Sequence, residues 1–170
     1  MAILGRCAAT LIGLFSIAFS LIAHAAEDLT PYFIEASAFV AAVTREDVPP
    51  VSVRRGHQLE LQNAVFGSPP SQPLHRPQVA AAFNPVRGEI VIGDDIDLMT
   101  PLGLSFLVHE LVHSQQYAAG RHIHATCHGT LEAEAYAIQA RFLRARQQPR
   151  EAVLFDILGL LQVDCGGHLR

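Results

Sequence analysis

Lysine is absent from this 170-residue chain, and cysteine occurs only three times. All 12 basic residues are arginines, set against 16 acids, for a formal net charge of −4. The arginines form no patch or run, so the electrostatic footprint of a nucleic-acid surface is missing, and no nucleic acid is expected as a partner. No segment repeats at a fixed period, which removes solenoid and propeller arrays. Half of the residues are hydrophobic, but one N-terminal run inflates that share, and the rest of the chain has no membrane character.

That run extends from about Ala8 to Ala23, follows Arg6 and leads into Ala23-His24-Ala25, a small-x-small cleavage site. It reads as a secretory signal peptide, residues 1–25, cut after Ala25. The expected product is secreted or periplasmic, with no stable membrane anchor after cleavage. An uncleaved anchor is the alternative, because the run is close to spanning length. Cys7 precedes the apolar core instead of ending it, which argues against a lipoprotein signal. Residues 26–170 then make a single domain of 145 residues, long enough for a real core, with 11 arginines against 16 acids. Cys127 and Cys165 survive processing, and an exported pair suggests a disulfide across a loop of 39 residues.

What the chain does contain is His109-Glu110-Leu111-Val112-His113. On an α-helix, residues four apart lie one above the other, so His109 and His113 share a face. Two imidazoles so placed can bind one zinc ion, and Glu110 can reach a water at that ion. Three fixed residues can also occur by accident on a buried amphipathic helix, so the surroundings decide. Thr100-Pro101 is a helix start, a hydroxyl cap followed by a proline whose missing N–H is no loss in the first turn. Leu104, Leu107, Val108 and Leu111 follow at helical spacing, and Gly120 can close the helix in the left-handed conformation. A helix over about 101–119 is predicted.

A catalytic zinc takes three protein ligands and keeps one position open. Downstream, Thr130 is a plausible cap for a second helix rich in Ala, Glu, Leu and Gln up to Gln148. Eighteen residues separate His113 from Glu132, enough for a helix end, a loop and the first turn of an antiparallel helix. Glu132 would then complete a His2Glu set. Glu134 competes with it, and the two point about 200° apart, so only one can face the metal. Tyr136 lies one turn beyond Glu132 on the same face and could hydrogen-bond it. Cys127 is a further alternative ligand. Gln116 returns to the metal-facing side, either to orient the site or to cap the surface. His122, His124 and His128 could hold a second metal, though solvated loop histidines are the simpler reading.

HExxH followed by a glutamate on the next helix resembles the gluzincin metallopeptidases. In their aminopeptidase branch the ligand glutamate follows the second histidine by the same interval. Glu132-Ala-Glu-Ala-Tyr136 is also similar to the ExxAD-type ligand helix of membrane-associated and minimal gluzincins, with Tyr136 where those carry Asp. The run from HELVHSQQY to LEAEAYAIQ looks like small secreted bacterial proteins of unknown function with a minimal zincin core. The resemblance covers about residues 88–148. It implies a zinc-dependent peptidase with His109, His113 and Glu132 as ligands and Glu110 as general base, acting on a peptide or protein substrate. It also implies that the strand before the active helix, residues 89–92, is the edge to which an extended peptide adds.

The remaining elements are coarser. Thr30-Pro31 starts a helix to about Arg45, Val51 to Arg55 suits a strand, and His57 to Val65 is helical or irregular. Val79–Phe83 and Glu89–Ile92 flank Asn84–Gly88 as a hairpin, and Gly67 to Pro77 reads as a Pro/Ser-rich loop, either mobile or part of the cleft rim. Asp94, Asp95 and Asp97 lack a full calcium-loop pattern and read as acids leading into a helix start. A last helix spans Glu151 to Val163. The expected class is α+β: a zincin-like core with a small, mostly antiparallel sheet beside the active-site helix and the third-ligand helix. A metal-holding module without turnover and a hydrolase of non-peptide amides are the competing functions.

Overall fold

The computed structural model describes residues 27–67 and 77–163. The signal segment 1–25, most of the loop 67–77 and Cys165, one end of the expected disulfide, lie outside the described residues. In chain order the elements are α1 (Thr30–Thr44), β1 (Ser52–Gly56), α2 (Gln58–Phe66), β2 (Ala81–Asn84), β3 (Glu89–Gly93), α3 (Pro101–Ala118), α4 (Arg121–His124), α5 (His128–Ala145) and α6 (Pro149–Val163). The class is α+β, with six helices and three strands among the described residues. No helix there is long and apolar enough to cross a membrane.

The sheet differs from expectation. Its order is β1-β3-β2: β3 pairs antiparallel with β2 through the hairpin and parallel with β1. The sheet is therefore mixed, because the chain passes through α2 and returns to the far side of β1's neighbour before the hairpin closes. Asn84 sets that hairpin: its Oδ1 accepts from Val86 N at 3.0 Å and Arg87 N at 3.2 Å, and Gly88 takes φ +59°. A second correction follows. With partners on both sides, β3 cannot be the edge strand that receives a peptide; β1 and β2 are the edges, and of these β2 lines the cleft that holds His109 and Glu110.

Helix α3 starts where Thr100-Pro101 predicts, with Thr100 Oγ1 accepting from Gly103 N at 3.0 Å, and Gly120 beyond its end is left-handed. The amphipathic expectation was too weak. From Gly103 to Gln116 every residue but Phe106 is buried, so α3 runs through the middle of the protein. Its apolar residues Leu104, Leu107, Val108, Leu111 and Val112 join Val40 of α1, Ile90 and Ile92 of β3 and Phe142 and Leu143 of α5 in one core. The C-terminal end of α1 is pinned by buried Gln115, whose Nε2 donates to Thr44 Oγ1 at 3.1 Å and to the Glu46 carbonyl at 2.8 Å.

α5 begins at His128, and Thr130 is inside it, donating to the Cys127 carbonyl at 2.8 Å instead of capping the helix. α6 starts at Pro149, two residues before the expected Glu151. The acids after β3 bind protein groups: Asp94 pairs with His57, and Asp97 Oδ1 accepts from Met99 N at 2.9 Å. That supports the helix-start reading over a calcium loop.

The first turn of α3 crosses the preceding loop so closely that a Cβ on Gly103 would lie 1.9 Å from the Asp97 carbonyl oxygen. Backbone cannot yield there cheaply. Gly103→Ala is expected to destabilise the fold by about 1–3 kcal/mol, read as a lowered denaturation midpoint at constant slope.

Candidate metal centre

α3 carries seven buried polar side chains over successive helical turns: Ser105, His109, Glu110, His113, Ser114, Gln115 and Gln116. Buried polar groups are costly without partners, so each position asks for one. α5 supplies most of them. Ser105 meets Gln139, His109 meets Gln139 and Glu132, and Gln116 meets Leu131. The contacts descend α5 as they ascend α3, so the two helices run antiparallel.

The structure brings His109, His113 and Glu132 together, with ligand-type atoms all within 4.8 Å of one another. The two Nε2 atoms are 3.1 Å apart, and each is 3.2 Å from an oxygen of Glu132. Among the described residues no other group of three His, Cys, Asp or Glu is so gathered, and Cys127 is outside this one. Glu134 points away: its carboxylate takes Arg121 at 2.7 Å and Gln116 Nε2 at 2.9 Å. Of the two glutamates the sequence left in competition, Glu132 is the one that faces the histidines.

Behind the histidines stand two glutamines. His113 Nδ1 donates to Gln116 Oε1 at 2.8 Å, and the Gln116 amide is held in turn by the Leu131 carbonyl and Glu134. His109 Nδ1 donates to Gln139 Oε1 at 3.0 Å, while Gln139 Nε2 donates to Ser105 Oγ and Ser105 donates to the Leu102 carbonyl. Each amide is locked by its NH2 group, so each imidazole presents Nδ1–H outward and Nε2 inward. Gln116 thus orients the site, one of the two roles its spacing allowed. Gln139 escaped notice in the sequence, although it lies seven residues, two turns, past Glu132 on the same face.

Three electron-rich atoms at this spacing repel one another unless positive charge lies among them. Burial opposes charge on His113, but the Glu132 carboxylate and nearby Glu110 outweigh it and hold the imidazolium up to about 9. Burial would likewise raise Glu132, yet its hydrogen bonds to His109 and His113 pull it well below the usual carboxylate range.

The cluster opens on a cleft of about 530 Å³. Glu110 lines it beside His109, as do Ala80, the β2 residues Ala81–Phe83 and Tyr117, whose ring meets that of Phe83 edge-on. Tyr136 meets the site through its ring, centred 4.6 Å from that of His109. Burial, then the charges of Glu132 and Glu110, raise its phenol and keep it protonated. His128, one turn before Glu132, lines the same cleft with Nδ1 3.6 Å from Glu132 Oε1. His122 stacks on Tyr117 at 4.2 Å.

One family profile matches residues 36–165, from the middle of α1 to beyond α6, and its description is a domain of unknown function, DUF6647. No curated protein and no solved structure matches the chain.

The pair has a signature that needs no metal. His113 has its pKa raised above the ordinary 6.5, so its contribution to stability is complete below about 6.5 and is lost as pH rises through about 9. With metal removed by a chelator, NMR titration should find His113 near 9. In Glu132→Gln only burial and weaker contacts remain, and the value should fall by more than one unit.

Proposed function

Because the chain belongs to the DUF6647 family, a domain of unknown function, its chemistry has to be read from the site, and we propose an exported zinc-dependent metallopeptidase of the minimal gluzincin type. The observation that carries this reading is the His109, His113 and Glu132 cluster, backed by two locked amides and open to a cleft that also contains Glu110. Two imidazoles and a carboxylate are a donor set that suits zinc, and tetrahedral zinc with bonds of about 2.0–2.1 Å keeps its ligand atoms about 3.3 Å apart. The separations of 3.1–3.2 Å in the cluster fit that ion.

Bound zinc would supply a Lewis acid for the scissile carbonyl and would lower the pKa of a water to about 7. Glu110 accepts the proton of the attacking water and returns it to the leaving nitrogen. The free edge of β2 aligns an extended peptide by backbone hydrogen bonds, in the place that the resemblance gave to residues 89–92. Tyr117, His128 and Tyr136 are the cleft's available donors to developing negative charge. Export rests on residues 1–25, which are cleaved to release the protein to the periplasm or medium.

His128 favours a second reading. As a fourth ligand it would close the coordination sphere, and the domain would hold zinc as a binding or structural module without turnover.

Zinc stoichiometry and cleavage of a peptide library, measured together, decide between the two. The purified protein should bind one zinc per chain and cleave peptides. Glu110→Gln should keep the metal and lose about 10²- to 10⁴-fold in rate. Glu132→Ala should lose the metal; full zinc affinity in that variant would overturn the third ligand. Zinc without turnover, weakened in His128→Ala, would establish the binding module instead. Gln139→Met should weaken zinc binding about 10- to 100-fold while the fold persists, as expected for a residue that orients a ligand.

A further inference from the structure

α6 has two faces. Ala152, Phe155 and Gly159 turn inward, and a Cβ on Gly159 would sit 3.3 Å from Tyr136 Cβ of α5. On the opposite side Val153, Leu154, Ile157, Leu160 and Leu161 are 50–74 % exposed. At 100° per residue these five occupy an arc of about 120°. Of the charges on α6, Asp156 pairs with Arg144 of α5, and Arg150 stands exposed at the N-terminal end of the stripe. Ile34, Val86 and Ile123 are exposed singly elsewhere, and the smaller group Leu59, Val65 and Phe66 lies on α2.

The stripe is symmetric about Ile157. Leu154 and Leu160 lie three residues to either side of it, Val153 and Leu161 four. Reversing the helix therefore superposes apolar positions on apolar positions. A two-fold interface demands just this self-complementarity, because each residue meets the symmetry-related patch. Two α6 helices crossing antiparallel at Ile157 would pair Val153 with Leu161, Leu154 with Leu160, and Ile157 with itself. The five residues expose ~500 Å² per copy, so their complete burial in a pair would remove up to ~1,000 Å², the lower bound for a biological interface, to which flanking groups add theirs.

We propose that the exposed face of α6 is a homodimer interface and that its occupant is α6 of a second copy of this chain. The inner face of the same helix lines the cleft with Phe155 and Leu158, so the dimer would brace the wall behind α5 and leave the β2 edge open. The proposal is independent of the metal reading.

Sedimentation equilibrium of the purified protein at micromolar concentration should give the mass of two chains, and Ile157→Arg should halve it with the circular dichroism spectrum unchanged. Under mild oxidation Ile157→Cys should crosslink chain to chain, because residue 157 faces itself across the two-fold axis, whereas Val153→Cys should not; this readout decides even if Ile157→Arg fails to fold. A monomeric native protein would overturn the proposal, as would a dimer that survives Ile157→Arg or crosslinks as readily through Val153→Cys. A monomer that partitions onto phosphatidylglycerol vesicles through this face would also overturn it and assign the stripe to a lipid surface.

Discussion

Everything in this protein is arranged around a polar seam buried between α3 and α5. A helix as enclosed as α3 would ordinarily be apolar throughout, since an unpaired amide or imidazole inside a core costs several times what a hydrogen bond contributes. Here the chain places two histidines, a glutamate and two glutamines on that helix, and α5 answers with Glu132, Gln139 and the Leu131 carbonyl. Gln116 and Gln139 each have the amide oxygen on an imidazole and the amide nitrogen on a fixed acceptor. The seam therefore tolerates only one register of α5 on α3. A shift of one turn would leave buried donors and acceptors unmatched all along it.

That constraint explains the neighbouring structure. α3 can be held at one height only if its ends are fixed, and they are: Gly103 lets the first turn touch the Asp97 carbonyl, while Gln115 ties the far half to the end of α1. Arg121 extends the hold by spanning Glu134 of α5 and Glu46 beyond α1. The sheet covers one flank and α6 supports α5 from behind, through the close approach that Gly159 permits. On the side of the histidines this packing is interrupted by the cleft between β2 and the two helices. It exposes the histidine pair and Glu110 to a narrow strip of solvent.

The repulsion among the inward-facing atoms of His109, His113 and Glu132 is the functional counterpart of that rigidity. Their positions are set by groups behind them, so they cannot move apart to relieve it. The site instead favours positive charge among them, and the carboxylates of Glu132 and Glu110 hold a proton on His113. A neutral amide behind each imidazole fixes its tautomer without adding negative charge, which leaves Glu132 as the anionic member of the trio.

The sequence by itself determined what depends on near neighbours along the chain. His109 and His113 share a face because they are four residues apart, α3 begins at Thr100-Pro101 because a hydroxyl and a proline satisfy a first turn, and the hairpin turns at Asn84–Gly88 because those residues favour it. The glutamate on the following helix was legible as a pair, Glu132 or Glu134, from its distance to His113. Only the tertiary structure decided between them, since the choice depends on how α5 rotates against α3, and Arg121 with Gln116 draws Glu134 aside. The same holds for Gln139, thirty residues from the histidine it holds, and for β1, whose parallel pairing covers β3 and leaves β1 and β2 as the outer strands. Local periodicity says which way a side chain points from its own helix or strand. Which partner waits there is settled by packing between distant segments, and no local pattern encodes it.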